Sequence, residues 1–236
     1  MKHEVVQQAA QDFWDKRAEQ RGKQEDNGKA GGEARANGHI TGFENAVRDI
    51  FIECGLSESD VRTGRPYLPG YYRVRKSWDL VVIYKEVLVA AFEFKSQVGS
   101  VGKNFNNRFE EALGSATDLS VAQDMNKPFG AVRPWLGYVF VLEETEETEK
   151  QSREAHALFK TDPAFKGMSY TQRYQEMISR FVGKNVYDLG WFVTTQKAED
   201  GTVTYKEPLR TATGYALQAA IEGRVKHVKA MLGERE

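Results

Sequence analysis

Two β-rich runs lying side by side constrain this chain more than any other feature. Asp79-Leu80-Val81-Val82-Ile83-Tyr84 and Val87-Leu88-Val89-Ala90-Ala91-Phe92-Glu93-Phe94-Lys95 are separated only by Lys85-Glu86. That spacing predicts an antiparallel hairpin, although the turn lacks an Asn-Gly pair. Further on, Trp135 to Leu142 is a nearly continuous apolar run, as expected of a buried strand, and Tyr187 to Thr195 reads as another. A sheet therefore forms the centre of the molecule.

Helical periodicity surrounds these strands. Val6, Ala9, Ala10, Phe13 and Trp14 predict an amphipathic helix from Val5 to about Arg21. Thr41 stands three residues before Glu44 in the spacing of a capping box, and the helix expected there carries Phe43, Val47, Ile50 and Phe51 and ends at Gly55. Further helices are predicted from Asn106 to about Met125, from Ser169 to Gly183, and from Thr213 to Leu232, whose basic end suits its dipole. Tyr71 to Arg75 reads as a strand or an extended arm. The acidic run from Glu143 to Glu149 reads as a solvated loop. The order αα-ββ-α-β-α-β-α predicts an α/β (α+β) fold, a mixed sheet flanked by helices in one domain over residues 1–236. Residues 22–40, rich in glycine and without a large apolar side chain before Ile40, are expected to form a mobile loop.

Several function classes drop out. The longest apolar run, Val87 to Phe92, is six residues, far short of the roughly 18 that a membrane-spanning helix needs. The first residues carry no apolar signal segment, so a cytoplasmic protein is expected. The single cysteine, Cys54, excludes an intrachain disulfide and a multi-cysteine zinc site, and reads as a small buried hydrophobe. The net charge of −1 conceals an uneven distribution. Residues 62–78 hold Arg62, Arg65, Arg73, Arg75 and Lys76 without an acid, and residues 94–109 hold Lys95, Lys103 and Arg108 without an acid. Both stretches suit contact with phosphates.

The hairpin carries the chemistry. Glu93 and Lys95 are separated by one residue and point to the same sheet face, while Phe94 points to the other. Antiparallel pairing brings Asp79 near residue 92, which collects two carboxylates and an ammonium at one edge of the sheet. Such a set, with the Phe94 carbonyl as a further ligand, suits a hard divalent cation such as Mg2+. Lys95 is placed to orient the attacking water or to stabilise the developing anion. The plainer reading is a solvated Glu-Lys pair at a strand end. Glu44 is a candidate second acidic residue at the site, and equally completes the capping box with Thr41.

The pattern Asp79-x13-Glu93-x-Lys95 resembles the PD-(D/E)xK nuclease core, with Trp78 where that motif has proline. A wider resemblance runs through Leu68-Pro69-Gly70-Tyr71-Tyr72-Arg73, Lys76-Ser77-Trp78-Asp79-Leu80-Val81, Lys103 to Ala112 and Gly114-Ser115-Ala116-Thr117-Asp118. Together these segments are similar to the XhoI-type restriction endonuclease family. The resemblance implies a restriction-endonuclease-like core and a type II enzyme that cuts both strands of palindromic DNA with Mg2+, acting as a homodimer beside a modification methyltransferase. The family's namesake site is CTCGAG, and Asp79, Glu93 and Lys95 fall at the catalytic positions. Asn27-Gly28-Lys29-Ala30-Gly31-Gly32 departs from the family pattern, which leaves the base preference open.

Among the DNA-binding candidates, Arg73, Arg75 and Lys76 suit phosphate contacts, and Lys103, Asn104, Asn107 and Arg108 suit phosphate or base readout. Asn104 and Arg108 serve equally well as a helix cap and half of an ion pair. In the glycine-rich loop, Lys23, Lys29, Arg35 and Asn37 could order on DNA. Trp14, Trp135 and Trp191 read as core, and His39 as a surface histidine beside the loop. Two other functions share these residues: a structure-directed nuclease of the junction-resolvase or repair type, and a non-catalytic DNA-binding module.

Overall fold

The computed structural model describes residues 1–27, 37–152 and 157–234, with side chains except at positions 21, 23–27 and 37. Lys29 and Arg35 lie outside the described residues, and the side chains of Lys23 and Asn37 lie outside them as well.

Helices α1 (His3–Asn27) and α2 (Thr41–Glu53) precede the strands, with a 3-10 turn at Asn37–Ile40 before α2. The strands are β1 (Val61–Arg62), β2 (Tyr67–Pro69), β3 (Arg75–Ser77), β4 (Leu80–Tyr84) and β5 (Val87–Gln97). Then come α3 (Val101–Asn126), β6 (Trp135–Glu143), α4 (Glu146–Glu149), α5 (Tyr170–Gly183), β7 (Leu189–Lys197), β8 (Val203–Lys206) and α6 (Gly214–Met231). One mixed sheet has the order β1-β4-β5-β6-β7-β8, and β2 with β3 forms a separate hairpin. Strands β5, β6 and β7 are parallel to one another, and β1, β4 and β8 are antiparallel to their neighbours.

The crossovers set the layers. Helices α3 and α5 connect parallel neighbours β5-β6 and β6-β7, and two crossovers of one hand moving in one direction fall on one face. There Ala116, Leu119, Tyr174 and Ile178 pack on Leu136, Tyr138 and Phe140. The other face is covered by α1, α2 and α6, through Phe13, Phe43, Phe51 and Leu217 on Phe92, Val139 and Trp191. Both faces of β5, β6 and β7 are thus dry, which is why their sequences are apolar without alternation. Gly137 has a packing role: a Cβ there would lie 2.2 Å from the Phe92 ring.

Helix ends follow local chemistry where the cap lies in the sequence. Ser169 and Gln172 form a capping box at α5, and Thr213 caps α6. Several expectations are corrected. Helix α1 continues to Asn27, six residues into the stretch expected as loop, so the periodic apolar stripe marks only its packed part. Helix α3 begins at Val101, and Asn104 is within its first turn. The acidic run holds a short helix capped by Thr145, with Thr148 completing a capping box. The Thr41-Glu44 box does not form: Ile40 is the cap residue, and Thr41 Oγ1 donates to the Gly38 carbonyl at 2.8 Å. Among the described residues, no helix is long and apolar enough to cross a membrane.

Candidate active site

The site begins where a strand ladder runs out. Pairing of β4 with β5 reaches Leu80 opposite Phe92, and the Asp79 N–H donates to the Phe92 carbonyl at 3.2 Å. Beyond that point β5 continues to Gln97 without β4 beside it. The Phe94 N–H is left without a strand partner, and a buried N–H requires an acceptor. The Asp79 side chain supplies it, Oδ2 accepting from Phe94 at 2.7 Å. This bond fixes the first carboxylate against the end of β5.

Glu93 is the second carboxylate, 5% exposed. Two lysines hold it. Lys95 Nζ donates to Oε1, and Lys76 Nζ, from β3, donates to Oε2 at 2.5 Å. The Lys76 ammonium also lies 4.4 Å from the centroid of the buried Trp78 ring, so the residue standing in the motif's proline position floors the cluster. Burial works against the charge on Glu93, but the two lysines outweigh it and hold the carboxyl below its ordinary range. Burial and then the charge of Glu93 raise Asp79. For Lys95, burial opposes the charge, and the attraction of Glu93 and Asp79 prevails, so the ammonium keeps its proton.

Glu44, on α2, is half-buried and lies within the influence of the Asp79 charge. Its carboxyl is pushed up to about 7, by burial first and by the charge of Asp79 second, against the pull of Arg65 and Lys16. His39 is buried, contrary to the expected surface position, and its Nε2 is 2.8 Å from Ser96 Oγ, on the residue after Lys95.

Asp79, Glu93, Lys95, Lys76 and His39 open into a cleft of about 770 Å³, lined also by Arg17, Arg65, Arg73, Asn104 and Arg108 but not by Glu44. Its walls carry six basic side chains and four acidic ones, Asp79, Glu93, Glu110 and Glu111. The DNA-binding candidates divide accordingly. Asn104 and Arg108 line the cleft, Asn104 Nδ2 donating to the Ser100 carbonyl and Arg108 pairing with Glu111 at 2.9 Å. Lys103 and Asn107 are exposed on α3 and do not line it. Lys76 belongs to the carboxylate cluster, not to an outer phosphate track. Arg73 lies at the cleft but is engaged: its Nε donates to Asp118 at 2.7 Å. Arg75 stacks on Tyr67, 4.2 Å from the ring centroid.

The donor set fits a hard divalent cation. Asp79, Glu93 and Phe94 offer carboxylate and backbone oxygens, Asp79 keeps Oδ1 outside its bond to Phe94, and the His39 imidazole that also lines the cleft is engaged with Ser96. Among the described residues, no group of three acidic, histidine or cysteine side chains gathers at one point. A cation here would complete its shell from water and substrate phosphate, as Mg2+ does.

Comparison with known proteins decides the family. The family described as Restriction endonuclease XhoI matches residues 17–207, more than three quarters of the chain. The chain belongs to this family. Type II restriction enzyme BstVI of Geobacillus stearothermophilus is 35% identical over 176 residues, covering 72% of this chain and 79% of that enzyme. Type II restriction enzyme XhoI of Xanthomonas vasicola is 36% identical over 178 residues, covering 73% and 72%. Type II restriction enzyme AbrI of Azospirillum brasilense is 38% identical over 169 residues, covering 66% and 76%. No solved structure matches the chain. The XhoI family match takes in the whole carboxylate cluster and both lysines.

Two parts of the site escaped sequence reasoning. Lys76 looked like one more base in an acid-free stretch, because nothing local indicates that β3 folds back onto Glu93. In the sequence Asp118 is only the last residue of the segment Gly114-Ser115-Ala116-Thr117-Asp118. It is 3% exposed and accepts from the Tyr71 and Tyr72 N–H groups at 2.9 and 2.8 Å as well as from Arg73. An acid at helical spacing from Ser115 and Ala122, among the small and apolar residues of α3, was the available signal.

Proposed function

We propose that this chain is a type II site-specific deoxyribonuclease that hydrolyses phosphodiester bonds of palindromic double-stranded DNA, with CTCGAG as the site and Mg2+ as the cofactor. The observation that carries this reading is the junction of Asp79, Glu93 and Lys95 at the open end of β5, in a cleft with basic walls. Asp79, Glu93 and the Phe94 carbonyl would hold Mg2+, which supplies neutralisation of the charge that builds on the phosphate. Lys95, kept protonated by its carboxylate neighbours, orients the attacking water and donates to the oxygen that becomes anionic. Water adds to phosphorus as one P–O ester bond breaks; the proton that the water sheds passes to bulk solvent, and a solvent proton meets the leaving oxygen. Arg108 and Asn104 face the substrate from α3.

Cutting two strands at a twofold site requires two copies of this cleft, so we propose a C2 homodimer. A cutter of this kind also requires a methyltransferase partner in function to protect the host's own sites.

The test is digestion of an unmethylated plasmid of known sequence with and without Mg2+, mapping the ends produced. Discrete Mg2+-dependent ends at CTCGAG are expected. Ends at another recurring sequence overturn the specificity and keep the mechanism. No cutting by folded, DNA-binding protein overturns the enzyme reading, and cutting retained in Glu93→Ala overturns the assignment of Asp79, Glu93 and Lys95 as the catalytic set.

A further inference from the structure

The β2–β3 hairpin has a five-residue tip, Gly70 to Val74, set by the pairing of Pro69 with Arg75. The tip holds its apolar side chains outward: Tyr72 is 71% exposed and Val74 is 91% exposed. It is nevertheless rigidly held. Asp118 takes both tyrosine N–H groups and Arg73, and a Cβ on Gly70 would lie 2.3 Å from Asp118 Oδ2, so only glycine passes there. A solvated loop has no need of a buried carboxylate to keep apolar groups in water, whereas a recognition element gains from being ordered before it binds.

We propose that this tip is a wedge for the substrate duplex, with Tyr72 and Val74 packing against bases in a groove beside the scissile phosphate and Arg75 on the backbone. The inference rests on the endonuclease reading above. Position supports it. Lys76, on the returning strand, reaches Glu93, and Val74 is two residues away, roughly 7 Å along the chain. Arg73, inside the tip, and Lys76 both line the cleft that holds Glu93, so Val74 lies between two cleft residues in the chain. Charge supports duplex DNA over a second copy of this chain. Residues 62–78 hold five bases and no acid. Arg73 and Lys76 are already paired with Asp118 and Glu93, so the charge that the tip presents outward is that of the exposed Arg75, and a twofold contact through it would bring two like-charged tips together. Apolar and aromatic side chains between base steps are an established means of grasping DNA.

The experiment uses the full chain and a duplex carrying the site that the plasmid digestion maps. Enzyme is titrated under single-turnover conditions with Mg2+ for the wild type, Tyr72→Ala, Val74→Ser and Arg75→Gln. All three replaced side chains are exposed, and thermal unfolding checks that each variant folds. Tyr72→Ala and Val74→Ser are expected to raise the half-saturating concentration on the order of 10- to 100-fold with an unchanged salt dependence. Arg75→Gln is expected to flatten the log-log salt slope by about 1. In a set of duplexes with 2-aminopurine at successive steps from the cut, at least one brightens with wild type and not with the two apolar variants. Variants within twofold of wild type overturn the proposal, as does silence at every 2-aminopurine position. Loss of the dimer in Tyr72→Ala by sedimentation overturns it in favour of a second copy as the occupant. A wild type that cuts no DNA overturns the endonuclease reading and this one together, whereas a cutting wild type with unaffected tip variants overturns this one alone.

Discussion

Glu44→Gln separates a half-buried carboxyl within the influence of Asp79 from one that merely begins a helix. In the folded protein Glu44 rises from an ordinary 4.5 to about 7. Between those values the unfolded chain releases the proton while the folded protein retains it, so wild-type stability falls as pH rises through that window and then stays level. At about 1.4 kcal/mol per pH unit the ceiling is about 3 kcal/mol. Water over the partly exposed side chain reduces it to about 1–2 kcal/mol. Glutamine keeps the shape and does not titrate. In chelated buffer, urea unfolding should place Glu44→Gln close to wild type at pH 5 and about 1–2 kcal/mol more stable at pH 8. A second arm uses Asp79→Asn, which removes the neighbouring charge and should move the wild-type inflection to lower pH. An equal stability difference at pH 5 and pH 8 would refute the reasoning, because it would assign the effect to helix capping or packing and leave no raised carboxyl.

Three further outcomes are expected. Asp118 is held below its ordinary range: burial would raise it, but the donors of Tyr72, Arg73 and Tyr71 outweigh burial. Its contribution is therefore complete above the ordinary carboxylate range and is lost as pH falls through the lower folded value; Asp118→Asn should cost about 2–3 kcal/mol at pH 7, with the gap narrowing below about pH 4 in urea titrations. Lys85 and Glu86 both adopt left-handed backbone, with φ of 46° and 63°, in the turn between β4 and β5. Glu86→Gly should relieve this and stabilise the protein by about 0.5–1 kcal/mol after the glycine's extra unfolded-chain entropy, read as a higher urea midpoint. Gly137→Ala should cost about 1–3 kcal/mol in the same assay, because the added methyl meets the Phe92 ring.

Much of the scaffold is legible in residue order. Apolar runs and their lengths mark β4, β5 and β6, and the stripe of Tyr174, Met177, Ile178 and Phe181 marks α5. Short strands β1 and β8 leave no such trace, since two to four residues carry no measurable period. Of the site, the i, i+2 spacing puts Glu93 and Lys95 on one face, and the two-residue turn brings Asp79 alongside. These are short-range facts of strand geometry.

Other placements arise only when the chain closes on itself. Lys76 looks like a surface base until β3 folds back and gives it to Glu93, 17 residues on. Asp118 becomes a clamp because α3 crosses beneath the hairpin tip 47 residues earlier in the chain. Glu44 and Thr41 have the spacing of a cap, yet the chain enters α2 from a 3-10 turn that gives Thr41 the Gly38 carbonyl and leaves Glu44 half-buried within the influence of Asp79. The residue order determined the strands, the packed faces and the pair on β5, because backbone periodicity acts between neighbours. The tertiary structure decided which charge meets which, because a burial cost shared by groups tens of residues apart is settled only by the packing that brings them together.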